Sequence, residues 1–223
     1  MIKKIKSSLL ALLLTAGLSA SAYAEFNIGL KANMMGFYGV GSETPSDNAG
    51  VKYPVKEAGA FTDEVFSIFA EYDAGPISIG IGYIPETIAS PENKNVQHTS
   101  DTDTTALTNT AKVDINDILQ VYALVDVPQL GGSYIKVGWR EATVETKENL
   151  ETGGSYNDVD VEGYSVAIGY AFDTGAEGLS VRLEVEGSQY DDVEATNNSD
   201  TSTKIKVTDL MSASASISLV KSF

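Results

Sequence analysis

Cysteine is absent from the 223 residues, and histidine and tryptophan occur once each. Without cysteine there is no disulfide and no lipid-anchoring cysteine, so an exported form of this chain takes its stability from non-covalent packing and pairing. Basic residues are also scarce, 15 Lys and Arg against 31 Asp and Glu for a formal charge of −16. Such a surface repels nucleic acid and is not drawn to anionic lipid. Beyond the first two dozen residues no apolar run approaches the roughly 18–20 residues that a transmembrane helix needs. If the chain enters a membrane, it does so with strands.

The N-terminus reads as an export signal. Residues 1–8 (MIKKIKSS) are basic, residues 9–20 (LLALLLTAGLSA) form an apolar core too short to span a bilayer, and Ala22 and Ala24 offer small side chains for cleavage. The domain expectation is therefore a cleaved signal peptide over 1–24 and one β domain over 25–223. Loss of Lys3, Lys4 and Lys6 leaves 12 basic against 31 acidic residues, a charge of −19.

The remainder alternates with a period of two, the mark of strands with unlike environments on their faces. In residues 25–41, Phe26, Ile28, Leu30, Ala32, Met34 and Tyr38 share one face, opposite Asn27, Gly29, Lys31 and Asn33. The same pattern recurs over 64–72, 77–85, 113–127, 133–145, 160–172, 179–190 and 204–223, which predicts eight strands. Residues 113–127 set Leu119, Val121, Ala123 and Val125 against Asn116, Gln120 and Tyr122. Every second connection is short (DAGP, PQLGG, DTGAEG). The others, about 42–62, 86–112, 147–157 and 191–203, are long and polar. A sheet trimmed at one rim and elaborated at the other fits an outer-membrane barrel with periplasmic turns and extracellular loops. No helical period, internal repeat or linker interrupts it, so one domain is expected.

Alternation does not say which face is enclosed, because a soluble up-and-down barrel alternates too. The polar faces decide. Ser212, Ser214, Ser216 and Ser218, like Gly163, Ser165, Ala167, Gly169 and Ala171, are small, whereas a water-facing skin carries mostly Lys, Glu and Thr. Small residues with a few charges suit a narrow lumen, which side chains just fill. The apolar faces carry Phe26, Tyr38, Tyr72, Tyr83, Trp139, Tyr164 and Phe172 near strand ends, at the level of lipid headgroups.

In leader, alternating strands, long acidic loops and a last strand with Ala213, Ala215, Ile217 and Leu219 ending on Phe223, the chain resembles the small outer-membrane barrels of the OmpX/OmpA type. The resemblance implies an all-β, eight-stranded antiparallel up-and-down transmembrane barrel in the Gram-negative outer membrane, monomeric and without the periplasmic domain of OmpA-type proteins. It also implies outer-membrane lipid and lipopolysaccharide, periplasmic chaperones and the barrel-assembly machinery as partners. Phe223, with Leu219 and Ile217, resembles the terminal signal which that machinery reads. Lys221 departs from the pattern by falling on the lipid-facing register, near enough to the rim for its stem to snorkel.

The lumen register gathers Lys31, Glu71, Lys136, Arg140, Arg182, Glu184 and Glu186. Enclosed charges must be paired or hydrated, so Arg140 and Arg182 are expected to bridge to Glu184 and Glu186, with Glu71 as a further acceptor. The expected role is a structural plug and a non-enzymatic surface protein with an adhesion-like function. A narrow, low-conductance, porin-like channel gated by these charges is the alternative. A more distant alternative, a lipid A-modifying enzyme, rests on His98 and Ser100, a His-x-Ser spacing in a loop with no carboxylate to orient the imidazole. No cofactor is expected beyond weak divalent-cation binding by the acidic strings at 100–105 and 191–200, which lack EF-hand spacing.

Cleavage after Ala24 predicts Glu25 as the first residue of the exported protein, read by N-terminal sequencing. An N-terminus at Met1 in the membrane fraction contradicts the signal-peptide assignment.

Overall fold

A computed structural model describes residues 25–44, 55–98, 106–150, 155–199, 201 and 204–223. The expected cleavage residues Ala22 and Ala24 lie outside it, as does Ser100. Among the described residues eleven strands form one antiparallel sheet: β1 (Glu25–Thr44), β2 (Val55–Asp73), β3 (Ile77–Ile84), β4 (Ile88–Ala89), β5 (Asn93–His98), β6 (Ala106–Val127), β7 (Ser133–Leu150), β8 (Val159–Asp173), β9 (Leu179–Tyr190), β10 (Val193–Thr196) and β11 (Lys204–Ser222). The path runs β1-β2-β3-β6-β7-β8-β9-β11, and β11 pairs back to β1. No helix among the described residues is long and apolar enough to cross a membrane.

The expected count of eight strands is thus wrong, and with it the resemblance to the eight-stranded OmpX/OmpA type. The additional strands fall in stretches expected to be loops. β4 and β5 continue along β6 beyond the end of β3, and β10 lies along β11 beyond the end of β9. Strands also extend to Thr44, back to Val55 and on to Leu150, inside the remaining expected loops. The physical reason is the surroundings. Where no apolar medium touches the sheet, neither face needs apolar residues, so alternation fades while the backbone still pairs.

Closure of the wall depends on the β1–β11 ladder, which runs from Asn27↔Ser222 to Thr44↔Lys204. Beyond it, Phe223 N–H donates to Phe26 C=O at 3.0 Å, and the ring of Phe223 stands exposed. Ile217 and Leu219 face outward beside it, and Lys221 Nζ donates to the Glu177 carbonyl at 2.9 Å at the short-turn rim. Two of the short turns share one device. Asp73 Oδ1 accepts from Gly75 N–H at 3.0 Å and Asp173 Oδ1 from Gly175 N–H at 2.8 Å, each glycine at positive φ (91° and 77°).

Toward the long connections some strands are paired on one side only. β2 pairs with β3 only over Ile68–Asp73, so residues 55–67 carry a ladder on the β1 side alone. Side chains serve the edge instead. Across the seam the Phe66 N–H donates to Glu86 Oε2 at 2.7 Å and Asn93 Nδ2 to Glu57 Oε2 at 3.0 Å, and within β2 the Glu64 N–H donates to Asp63 Oδ1 at 2.9 Å. Carboxylates on a free strand edge both satisfy its donors and deter pairing with other chains.

Outside the barrel a band of large apolar side chains is exposed, including Leu30, Phe66, Ile79, Val137, Tyr164, Ile168, Val185 and Ile217. Inside, alternate residues are buried. Two bulges, with Asp117 and Asp209 at φ 53° and 54°, reset the parity on β6 and β11 at the upper edge of the band. Across the first of these, Ile115 and Ile118 both enter the core. Asn116, expected beside Gln120 and Tyr122, instead donates to Glu145 Oε2 and accepts from Thr87 Oγ1 at 2.6 Å.

The interior is layered. On the side of the long connections lies an apolar plug of Met35, Phe37, Val65, Ile84, Ile88, Ile115, Ile118, Ala142 and Val161, with Phe37 stacked on Phe61 at 5.5 Å. Below it, aromatic rings lie over glycines of the paired strand. Phe69 covers Gly29, Tyr122 covers Gly80 and Tyr134 covers Gly169, and in each pair the two residues are directly opposite in register. A methyl group on any of these glycines would overlap the ring. The glycine face therefore lets a large ring lie flat along the wall of a narrow lumen.

Gly169→Ala should push Tyr134 off the wall and lower stability by about 1–3 kcal/mol, the usual cost of overpacking. Urea unfolding in lipid vesicles reads this, and an unchanged midpoint contradicts the packing.

Candidate functional site

The rings laid over glycine carry their hydroxyls to the centre of the lumen, where the charges meet. Tyr122 Oη donates to Glu71 Oε1 at 2.8 Å and Tyr134 Oη to Glu184 Oε2 at 3.1 Å. All seven charges expected on the enclosed register point inward and join three carboxylate centres.

Glu71 on β2, 1% exposed, accepts from Arg182 Nη1 on β9 at 2.8 Å on each oxygen. Glu184 accepts from Lys31 Nζ of β1 at 2.8 Å and from Lys136 Nζ of β7 at 2.6 Å. Glu186 receives Lys136 Nζ at 2.8 Å, Gln120 Nε2 at 2.8 Å and the Arg140 guanidinium through Nη2. Lys136 bridges two carboxylates and is 2% exposed, the most enclosed cation of the set. Cations also lie over rings, with Lys136 Nζ 5.0 Å from the Tyr122 centroid and the Arg182 guanidinium 5.7 Å from that of Tyr134.

Strand direction explains the convergence. Arg182, Glu184 and Glu186 are alternate residues of β9 and hence project to one face, as do Lys136 and Arg140 on β7. The network therefore ties β1, β2, β6, β7 and β9 together across the lumen, and packing locks it between the apolar plug and the short-turn rim, where Leu124 and Val220 are buried. Among the described residues the interior cavity beside it measures about 20 Å³ and is lined by Lys31, Asn33, Ser67, Gln120, Tyr122 and Arg140 among others. That is room for one water-sized occupant, since about 10–15 Å³ suffices for a water.

The sequence reading missed the apolar plug and the tyrosine hydroxyls. Its signal was present in the parity of β1, where the face of Lys31 and Asn33 continues through Met35 and Phe37. Tyr122 was placed on the enclosed face without a partner, and the glycine opposite it was the sign of a ring lying flat.

The other candidate residues lie apart from this centre. His98 ends β5, opposite Ala106 in the ladder on β6. The acidic string at 191–200 contributes β10, and its carboxylates meet lysines: Glu194 with Lys204 at 2.6 Å and Asp192 with Lys206 at 2.9 Å. Among the described residues no group of three or more His, Asp or Glu side chains is arranged to hold a metal ion. Most of the string at 100–105 lies outside the described residues.

No protein-family model matches the chain, and no curated protein matches it. Among solved structures, the outer membrane protease OmpT from Escherichia coli is 9% identical, with 92% of this chain and 99% of that one aligned at a TM-score of 0.51. Outer membrane protein OprG from Pseudomonas aeruginosa is 12% identical over 87% of this chain and 95% of its own, at a TM-score of 0.48. Neisserial surface protein A is 12% identical over 89% and 97%, at 0.42. At 9% identity the likeness to the protease structure shows the fold alone, an outer-membrane-type antiparallel β-barrel.

Glu71→Ala should cost about 3–5 kcal/mol, because it leaves the Arg182 guanidinium enclosed without its carboxylate. Replacing both Glu71 and Arg182 by leucine should recover most of that loss. Additive losses in a double-mutant cycle contradict the pairing.

Proposed function

We propose that the chain is an integral outer-membrane barrel whose lumen is a structural plug and whose work is done at the cell surface, by the strands and connections that rise beyond the apolar band. The single observation that carries this reading is the filled interior. Charges paired across the lumen, flat aromatic rings and an apolar plug occupy the path that a solute would take, and the cavity beside them is about 20 Å³. The exposed belt supports insertion in lipid, since an apolar surface of this extent is not left to water.

The elaborated rim supports a surface role. β5 with the first half of β6, β10 with the start of β11, and the outer parts of β2 and β7 build a polar wall above the belt. Its sequence is rich in Lys, Glu, Asp, Asn and Thr, which suits contact with polar macromolecules more than with lipid. The role is non-enzymatic in this reading. An assembled barrel exposes Ile217, Leu219 and Phe223 at the last strand, where they meet lipid after serving the assembly machinery.

The porin-like alternative requires both the charge network and the apolar plug above it to part. Purified protein in planar bilayers should therefore give no single-channel steps, and Arg182→Ala should give none either, because the plug remains. Discrete ion-conducting steps from the wild type overturn the plug.

A further inference from the structure

The enclosed charges do not cancel. Lys31, Lys136, Arg140 and Arg182 bring four cations against the three carboxylates of Glu71, Glu184 and Glu186. Arg182 lies toward the short-turn rim, where Asp126 is within electrostatic reach. The surplus is felt at the other end of the network, at Arg140. Its Nη2 serves Glu186, but Nε and Nη1 are fully shielded from solvent and meet no protein acceptor. The Tyr190 hydroxyl, itself hydrogen-bonded with Ser212 at 3.4 Å, lies beside the guanidinium but forms no aligned hydrogen bond with either of these N–H groups.

Arg140 lines the 20 Å³ cavity, and so do two further groups with hydrogens to give. Lys31 has one carboxylate partner for its three N–H bonds. Ser67 Oγ accepts from Asn33 Nδ2 at 3.1 Å, which leaves its own proton to donate. The lining is therefore rich in donors, with the Gln120 carbonyl as an acceptor near Gly82. A water there would bring two hydrogens to a site that already has more donors than acceptors. Removing a proton from a lysine would balance the charge but would leave the Nε and Nη1 hydrogens of the Arg140 guanidinium as they are.

We propose that this cavity binds one small monovalent anion, chloride under ordinary conditions, held by Arg140 Nε and Nη1, Lys31 Nζ and Ser67 Oγ. The anion completes the network by supplying the fourth negative charge and accepting the hydrogens that no protein oxygen takes. It sits beneath the apolar plug, so it is a resident structural ion rather than a permeating one.

The test is anomalous diffraction from wild-type crystals grown in bromide, with the full barrel folded in detergent or lipid. A bromide peak in hydrogen-bonding reach of Arg140 supports the site, and a water or no peak there overturns it. In parallel, the thermal midpoint of the folded band on gels should rise with chloride and not with gluconate at equal ionic strength, gluconate being too large for the cavity. Lys31→Met, which balances the charges while Lys136 still serves Glu184, should fold and lose most of that chloride dependence. Equal midpoints in chloride and gluconate for the wild type contradict the proposal.

Discussion

The ladder between β1 and β11 is the contact on which the rest of this molecule depends. It joins the two ends of the sheet, from Asn27 opposite Ser222 to Thr44 opposite Lys204, and turns an open sheet into a wall with an inside. In hydrocarbon an unpaired backbone donor or acceptor costs several kcal/mol, so strands can cross a bilayer only if every edge is closed. Closure also creates the second constraint. Side chains of alternate residues must fill a lumen of fixed width, and the charges among them must find partners there.

Both constraints are visible in how the interior is built. Rings lie flat over Gly29, Gly80 and Gly169 because a narrow lumen has no space for them to stand upright. Two of those rings present hydroxyls to Glu71 and Glu184, which in turn gather cations from β1, β7 and β9. Where β2 rises past Ser67 without a ladder to β3, Glu86 and Asp63 take up backbone donors of its edge. Above that level Met35, Phe37, Val65 and Ile88 pack as a soluble core would, inside out relative to the belt below.

How much of this was legible in the sequence follows from where each face points. Inside the belt, lipid on one side and a crowded lumen on the other impose strict alternation, so Ile28, Leu30 and Ile168 read as outward and Lys31, Lys136 and Glu184 as enclosed. Above the belt, water touches the outer face, the alternation fades, and β4, β5 and β10 carry no periodic strand signal. That is why eight strands were expected and eleven are present. Bulges at Asp117 and Asp209 were equally hidden, since a single residue in the left-handed region leaves no periodic trace. The pairing of particular charges needs the register between strands far apart in sequence, such as Glu71 with Arg182, which composition does not carry.

The central claim is one of orientation, that the apolar face of each strand meets lipid while the small and charged face is enclosed. Because the chain has no cysteine, single-cysteine variants can be spin-labelled one at a time along β8 from Tyr164 to Phe172 in lipid vesicles. Collision rates with oxygen, which concentrates in the bilayer, should alternate with a period of two, high at 164, 166, 168, 170 and 172 and low at 165, 167, 169 and 171. Flat accessibility, or the opposite phase, would contradict the account.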